Sequence, residues 1–134
     1  MTDTRSKTIL VVDDEADVRV FLGTLLTDNG FTVICADNGK EGFTKAKERR
    51  PDLVLLDISM PEESGVRMYR NLRGDPQTAT IPVIMLTGVS HDFKGFIETR
   101  RQVPPPDGYF DKPPDQDQLL AKINSLVGEK APVS

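Results

Sequence analysis

Between two prolines the chain runs Pro51-Asp-Leu-Val-Leu-Leu-Asp-Ile-Ser-Met-Pro61, and this stretch limits the fold more than any other. Its four consecutive apolar residues, Leu53 to Leu56, are too few for a buried helix. They read as a strand covered on both faces, the pattern of a parallel sheet flanked by helices. The run ends on Asp57, and a carboxylate where a buried strand emerges is costly unless something pairs with it. Pro61 keeps the ladder from continuing. Asp57 is therefore expected at the rim of a sheet, facing a crevice of the kind in which open α/β sheets hold their ligands.

The same theme recurs along the chain. Ile9 to Val12 is an apolar run that ends in Asp13 and Asp14, Phe31 to Ala36 is a short strand, and Pro82 to Thr87 is an apolar run that closes on a hydroxyl. Tyr109 to Asp111 is a last strand, followed by Lys112 and Pro113. Helical spacing fills the intervals. From Asp17 onward Val18, Phe21, Leu22, Leu25 and Leu26 line one face, with Gly30 as a stop. Lys40 to Arg49 is a weaker helix after the Asp37-Asn38-Gly39 turn, closed by Pro51. Ser64 opens a helix with Val66, Met68, Tyr69 and Leu72 to one side, and Phe93, Phe96 and Ile97 indicate another. Asp115 caps a final helix striped by Leu119, Leu120, Ile123, Leu126 and Val127. Five strands alternating with five helical segments predict a doubly wound α/β fold. Its parallel sheet has helices on both faces and the C-terminal strand ends on one rim, and 2-1-3-4-5 is an order that such sheets adopt. The 134 residues make one domain over 7–128, with 1–6 as a disordered leader and 129–134 as a flexible tail or the start of a linker.

Composition narrows function by exclusion. With 17 basic and 21 acidic residues the formal charge is -4, the wrong sign for a phosphate-backbone binder, so no direct nucleic-acid contact is expected. No apolar run has the length of a membrane span, and the first seven residues lack the apolar core of a signal peptide. The lone cysteine, Cys35, forms no intramolecular disulfide and reads as a small core residue. A soluble, cytoplasmic chain without membrane insertion is the expectation.

The strand ends bring Asp13, Asp14, Asp57, Thr87 and Lys112 to one rim. In the order 2-1-3-4-5 the first and third strands are neighbours at the switch point, so three carboxylates crowd one crevice. Like charges that close need a cation between them. Oxygen ligands with no His or Cys nearby in sequence favour Mg²⁺ over zinc. A carboxylate beside such an ion, a hydroxyl and an ammonium is equipped for phosphoryl transfer. Asp57 would form an acyl phosphate whose oxygens are taken by Mg²⁺, Lys112 and Thr87.

Taken together, Val-Val-Asp13-Asp14-Glu, Asp57-Ile-Ser-Met-Pro61 with Gly65 beyond, Val-Ile-Met-Leu-Thr87-Gly and Tyr109-Phe-Asp-Lys112-Pro113 resemble the response-regulator receiver domain of two-component signalling. That is the CheY-like, flavodoxin-like fold, and the resemblance covers about Lys7 to Val127. It implies that Asp57 is the phosphoacceptor, served by a phosphohistidine on a sensor histidine kinase or a phosphotransfer protein. It implies a site in which Asp14 and Asp57 bind Mg²⁺, with Mn²⁺ as a substitute, Asp13 binds through water and the Ser59 backbone carbonyl adds a ligand. Thr87, the Gly88 backbone and Lys112 would stabilise the phosphoryl group. Thr87 and Tyr109 match the switch pair, and Pro113 matches the family's cis-proline. Such a module controls a downstream target or output domain, with a phosphorylation-dependent dimer among the expected assemblies. It catalyses only its own phosphorylation and dephosphorylation and is not otherwise an enzyme.

The chain departs from the family pattern between Thr87 and Lys112, which is longer than usual. Gln102-Val-Pro-Pro-Pro-Asp107 stands where a Gly-Ala segment is normal, and Pro114 replaces a large residue after Lys-Pro. The prolines read as a stiff connector and His91 as an exposed bystander. Ser59 and Val89 are expected to flank the path of the hydrolytic water. Two other functions compete with this reading, the first of them on the same topology. A flavodoxin-type carrier needs a Ser/Thr/Gly-rich phosphate cradle where Asp13-Asp14-Glu15 stands. An aspartyl phosphohydrolase needs a second acid near Asp57, where Ser59 is found.

Overall fold

Alternate residues of each strand go to opposite faces of one sheet, and each face has its own core. The computed structural model describes residues 7–61, 64–88 and 105–127. The strands are β1 (Thr8–Val12), β2 (Thr32–Ala36), β3 (Leu53–Asp57), β4 (Val83–Thr87) and β5 (Gly108–Asp111), all parallel, in the order β2-β1-β3-β4-β5. The described helices are α1 (Ala16–Asp28), α2 (Gly39–Arg49), α3 (Ser64–Gly74) and α4 (Gln116–Val127). The expected helix at Phe93, Phe96 and Ile97 lies outside the described residues, as do Val89, His91, the leader and the tail.

Leu10, Val12, Val54, Leu56, Val83 and Met85 face α2 and α3, where they meet Ala46, Met68, Tyr69 and Leu72. Ile9, Val11, Leu53, Leu55, Ile84 and Leu86 face the other way, onto Leu22 and Leu26 of α1 and Leu119 and Ile123 of α4. β3 and β4 are buried at every position, which is why their sequences are unbroken apolar runs rather than alternations.

Helix ends follow the expected chemistry. The Asn38 side chain accepts from Glu41 N at 2.8 Å while the Glu41 carboxylate accepts from Asp37 N at 3.0 Å, a reciprocal cap on α2. Asp115 accepts from Gln118 N at 2.9 Å and starts α4. Gly30 ends α1 at φ +92, a conformation that suits glycine. Phe21 departs from its expected place on the buried face and is 38% exposed. The arc facing the sheet is filled by Val18, Leu22, Leu25 and Leu26, and Phe21 falls at its margin, beside Pro113 and Pro114.

Asp107, which follows the prolines, ties the approach to β5 to β4 and α3. Asp107 donates its amide to Val83 O (2.8 Å), and its carboxylate accepts from Val83 N (2.9 Å) and Arg73 Nη2 (3.0 Å). Arg73 also donates to the Ala79 and Ile81 carbonyls and lies 5.0 Å over the buried Tyr69 ring. Among the described residues, no helix is long and apolar enough to cross a membrane.

One glycine is tied to the rim itself. A Cβ on Gly65 would overlap the Asp57 carbonyl oxygen and sit 2.9 Å from Ile58 Cα, both backbone and unable to yield. Gly65→Ala is accordingly expected to cost about 3 kcal/mol, the upper range for overpacking, read as a lower urea midpoint at unchanged slope. A midpoint equal to wild type would show that α3 can back away from β3.

Candidate functional site

Strand parity decides what meets at the C-terminal rim. Asp57 pairs with Leu86 in register, so its side chain leaves the sheet on the α1/α4 side. Asp13, one residue past Val12, has the same parity, and so has Lys112, two past Phe110. Three residues far apart in sequence thus aim at one point. Lys112 Nζ lies 3.0 Å from Asp13 Oδ2, 3.3 Å from Asp57 Oδ2 and 3.5 Å from Glu15 Oε1.

The Asp13 and Asp57 carboxylates are held. Asp13 and Asp57 are both 1% exposed, whereas Asp14 is exposed at the rim. Asp13 Oδ1 accepts from Glu15 N at 2.9 Å. Asp57 Oδ1 accepts twice from Ser59, from its amide at 2.8 Å and its hydroxyl at 2.6 Å. The Gly88 amide donates to the same hydroxyl at 3.4 Å, a long bond. Burial is the main cause that raises the Asp13 pKa, with the Asp57 charge adding to it, while the Glu15 amide and Lys112 act the other way. Burial alone would depress the Lys112 ammonium, but the hydrogen bond to Asp13 and the charges of Asp57 and Asp13 outweigh it and hold its pKa above the ordinary value. The site therefore keeps a charged lysine among acids.

Asp13, Asp14 and Asp57 each offer an oxygen within 4.8 Å of the others, an all-carboxylate donor set that fits a hard divalent cation. The cleft in front, about 390 Å³, is lined by Asp14, Glu15, Asp57, Ser59, Pro61, Gly88 and Lys112. Thr87 is buried at the end of β4, and its carbonyl accepts from Lys112 N at 2.8 Å. Tyr109 has the opposite parity to Lys112 and pairs in register with Met85. It is 36% exposed, and desolvation first and the Asp111 carboxylate second raise the pKa of its phenol. The Lys112–Pro113 bond is cis.

All the expected rim residues among Asp13, Asp14, Asp57, Ser59, Gly88 and Lys112 therefore come together, with Thr87 beside them and Tyr109 on the far side of the sheet. Three contacts went unforeseen: the Ser59 hydroxyl on Asp57, Glu15 on Lys112, and Arg19, which donates from Nη1 to the Asp13 carbonyl at 2.8 Å. Only Glu15 carried a signal, as the third acid of its run.

Comparison with known proteins identifies the family. A family profile described as "Response regulator receiver domain" matches residues 9–124. The chain is 34% identical over 128 residues to the phosphate regulon transcriptional regulatory protein PhoB of Pseudomonas aeruginosa, across 94% of this chain but 54% of PhoB. It thus spans about half the length of that relative. Protein PilH of the same organism is 34% identical over 119 residues, covering 89% of this chain and 96% of PilH. Among solved structures, a CheY-like response regulator receiver domain protein from Methanospirillum hungatei aligns with a TM-score of 0.80 at 26% identity, over 93% of this chain and 96% of that one. A Francisella response regulator receiver domain aligns at 0.77 and 28%, over 91% and 97%.

Proposed function

The chain belongs to the response regulator receiver domain family of two-component signalling, and from that premise we propose that Asp57 is its phosphoacceptor, served by a phosphohistidine on a sensor kinase or phosphotransfer protein. In the transfer a carboxylate oxygen of Asp57 bonds to phosphorus as the P–N bond of the donor breaks. The electron pair of that bond leaves on the imidazole, which takes up a proton. The observation that carries the reading is Lys112 Nζ between Asp13 and Asp57, a cation already at the place where phosphoryl charge would develop.

Around that pair the roles divide by position. Asp14, exposed on the rim, and Asp57 would bind Mg²⁺ directly and Asp13 through water, with the Ser59 carbonyl as a further ligand and Mn²⁺ as a substitute. When bound, the ion draws one phosphoryl oxygen and offsets the roughly -2 charge that phosphorylation adds at neutral pH. Lys112 takes a second oxygen, and the Thr87 hydroxyl with the Gly88 amide takes the third. Gly88 spends only a long bond on Ser59 at present, which supports its release toward the phosphoryl group. Thr87 and Tyr109 form the switch that reports the change to a target or output domain. The cytoplasm is the compartment in which such a phosphodonor would meet the chain.

The test is direct. Incubation with acetyl phosphate and Mg²⁺ should add one phosphoryl group per chain, labile to hydroxylamine and absent when the divalent ion is chelated. Labelling that survives chelation, or that resists hydroxylamine, would overturn an acyl phosphate at this site.

A further inference from the structure

Each hydrogen-bonding atom of Asp13 has a partner, and one of those partners comes from beyond the rim. Its amide donates to Ala36 O at 3.1 Å, and its carboxylate oxygens accept from Glu15 N and Lys112 Nζ. Its carbonyl accepts from Arg19 Nη1 at 2.8 Å, although Arg19 stands six residues on, within α1. The amide of the same Arg19 donates to the Glu15 carbonyl at 3.1 Å. The Arg19 side chain therefore holds the start of the Asp13–Glu15 turn, while its amide makes the ordinary first-turn bond of α1 at the other end. The carbonyl that it holds belongs to the peptide joining Asp13 to Asp14, so the orientation of that peptide sets the direction in which Asp14 leaves the backbone.

We propose that Arg19 is a positioning residue for the divalent cation: its guanidinium fixes the Asp13–Asp14 peptide so that the two carboxylates face Asp57 in the cleft. The proposal rests on the cation-binding reading given above. The electrostatics make it a sharp one. A guanidinium hydrogen-bonded to the backbone of one of these acids repels an incoming divalent ion, so charge alone predicts that removing Arg19 tightens binding. Loss of positioning predicts the reverse. Groups that orient metal ligands from outside the coordination shell commonly contribute tenfold or more to affinity.

The experiment is isothermal titration of the full chain with Mg²⁺ alone, on wild type, Arg19→Met, Arg19→Gln and Arg19→Lys, with metal-free thermal melts to establish folding. Arg19→Met and Arg19→Gln should bind Mg²⁺ about tenfold more weakly than wild type, against the direction of the charge change. Arg19→Lys, which keeps a donor on a long stem, should recover most of the loss. Either neutral variant is sufficient should the other not fold. A folded neutral variant that binds as tightly as wild type, or tighter, refutes the positioning role while leaving the cation site in place. So does a lysine variant as weak as the methionine one. A wild-type chain that does not bind Mg²⁺ at all removes the cation reading itself.

Discussion

Asp57→Asn is expected to abolish labelling by acetyl phosphate, to at least ~100-fold below wild type, because an amide is not a nucleophile toward phosphorus. The variant should nevertheless fold. Its Oδ1 can keep both hydrogen bonds from Ser59, and the change removes one negative charge from a buried acidic group. The unfavourable contact is a side-chain amide facing Lys112 Nζ, now 3.3 Å from Oδ2, and Lys112 retains Asp13 as a partner. Mass spectrometry of the intact chain after Mg²⁺ and acetyl phosphate reads the result, with circular dichroism as the check on folding. A phosphoryl adduct on the folded variant at the wild-type level would move the acceptor to another residue.

Lys112→Met should have the largest effect on stability. The lysine side chain is 12% exposed and pairs with two carboxylates that are almost fully buried. Its removal leaves two uncompensated charges against a low-dielectric core, and breaking such a pair from one side typically costs about 3–5 kcal/mol. That is a large share of the stability of an ordinary domain. The pH dependence has a definite sign. Burial raises the Asp13 pKa in the folded chain above its unfolded value, and the Lys112 contacts that oppose this are gone in the variant. The folded variant then binds a proton more readily than the unfolded one, so its stability rises as pH falls from neutrality through the raised Asp13 pKa. The gain levels off below the ordinary carboxylate value, where both states are protonated. Added Mg²⁺ should also narrow the deficit at pH 7 by supplying the missing positive charge. Urea denaturation in metal-free buffer at pH 7 and near pH 4 reads both effects. A variant as stable as wild type at pH 7, or one whose deficit widens on acidification, would show that Lys112 is not what compensates these acids.

Much of this was visible in the amino-acid order because short apolar runs closed by a polar residue admit few structures. β3 and β4 are buried on both faces, so each had to be an unbroken run, and the residue ending each run had to stand at the rim. The convergence of Asp13, Asp57 and Lys112 followed from strand order plus period-two alternation. Side-chain reach was harder to read. Arg19 looks like any solvated helix cation until α1 is docked on β1, and Asp107 looks like punctuation after three prolines until Arg73 is brought across the sheet edge. Phe21 had the spacing of a core residue, but it falls at the margin of the buried arc, beside Pro113 and Pro114, and is 38% exposed. The Ser59 hydroxyl is a local contact, two residues from Asp57, and a serine at that spacing turns back on its carboxylate only when the loop folds tightly.

The separate cores on the two sides of the sheet also keep the acidic cluster apart from the Tyr109 ring. Asp13, Asp57 and Lys112 stand on the side of α1 and α4, while strand alternation puts Tyr109 on the other, with Thr87 at the rim where β4 ends. The sheet is a bulkhead one residue thick, with the Asp13–Asp57–Lys112 cluster in one compartment and the Tyr109 ring in the next. β4 and β5 bridge the two, since Thr87 and Lys112 are joined by a backbone hydrogen bond across that ladder.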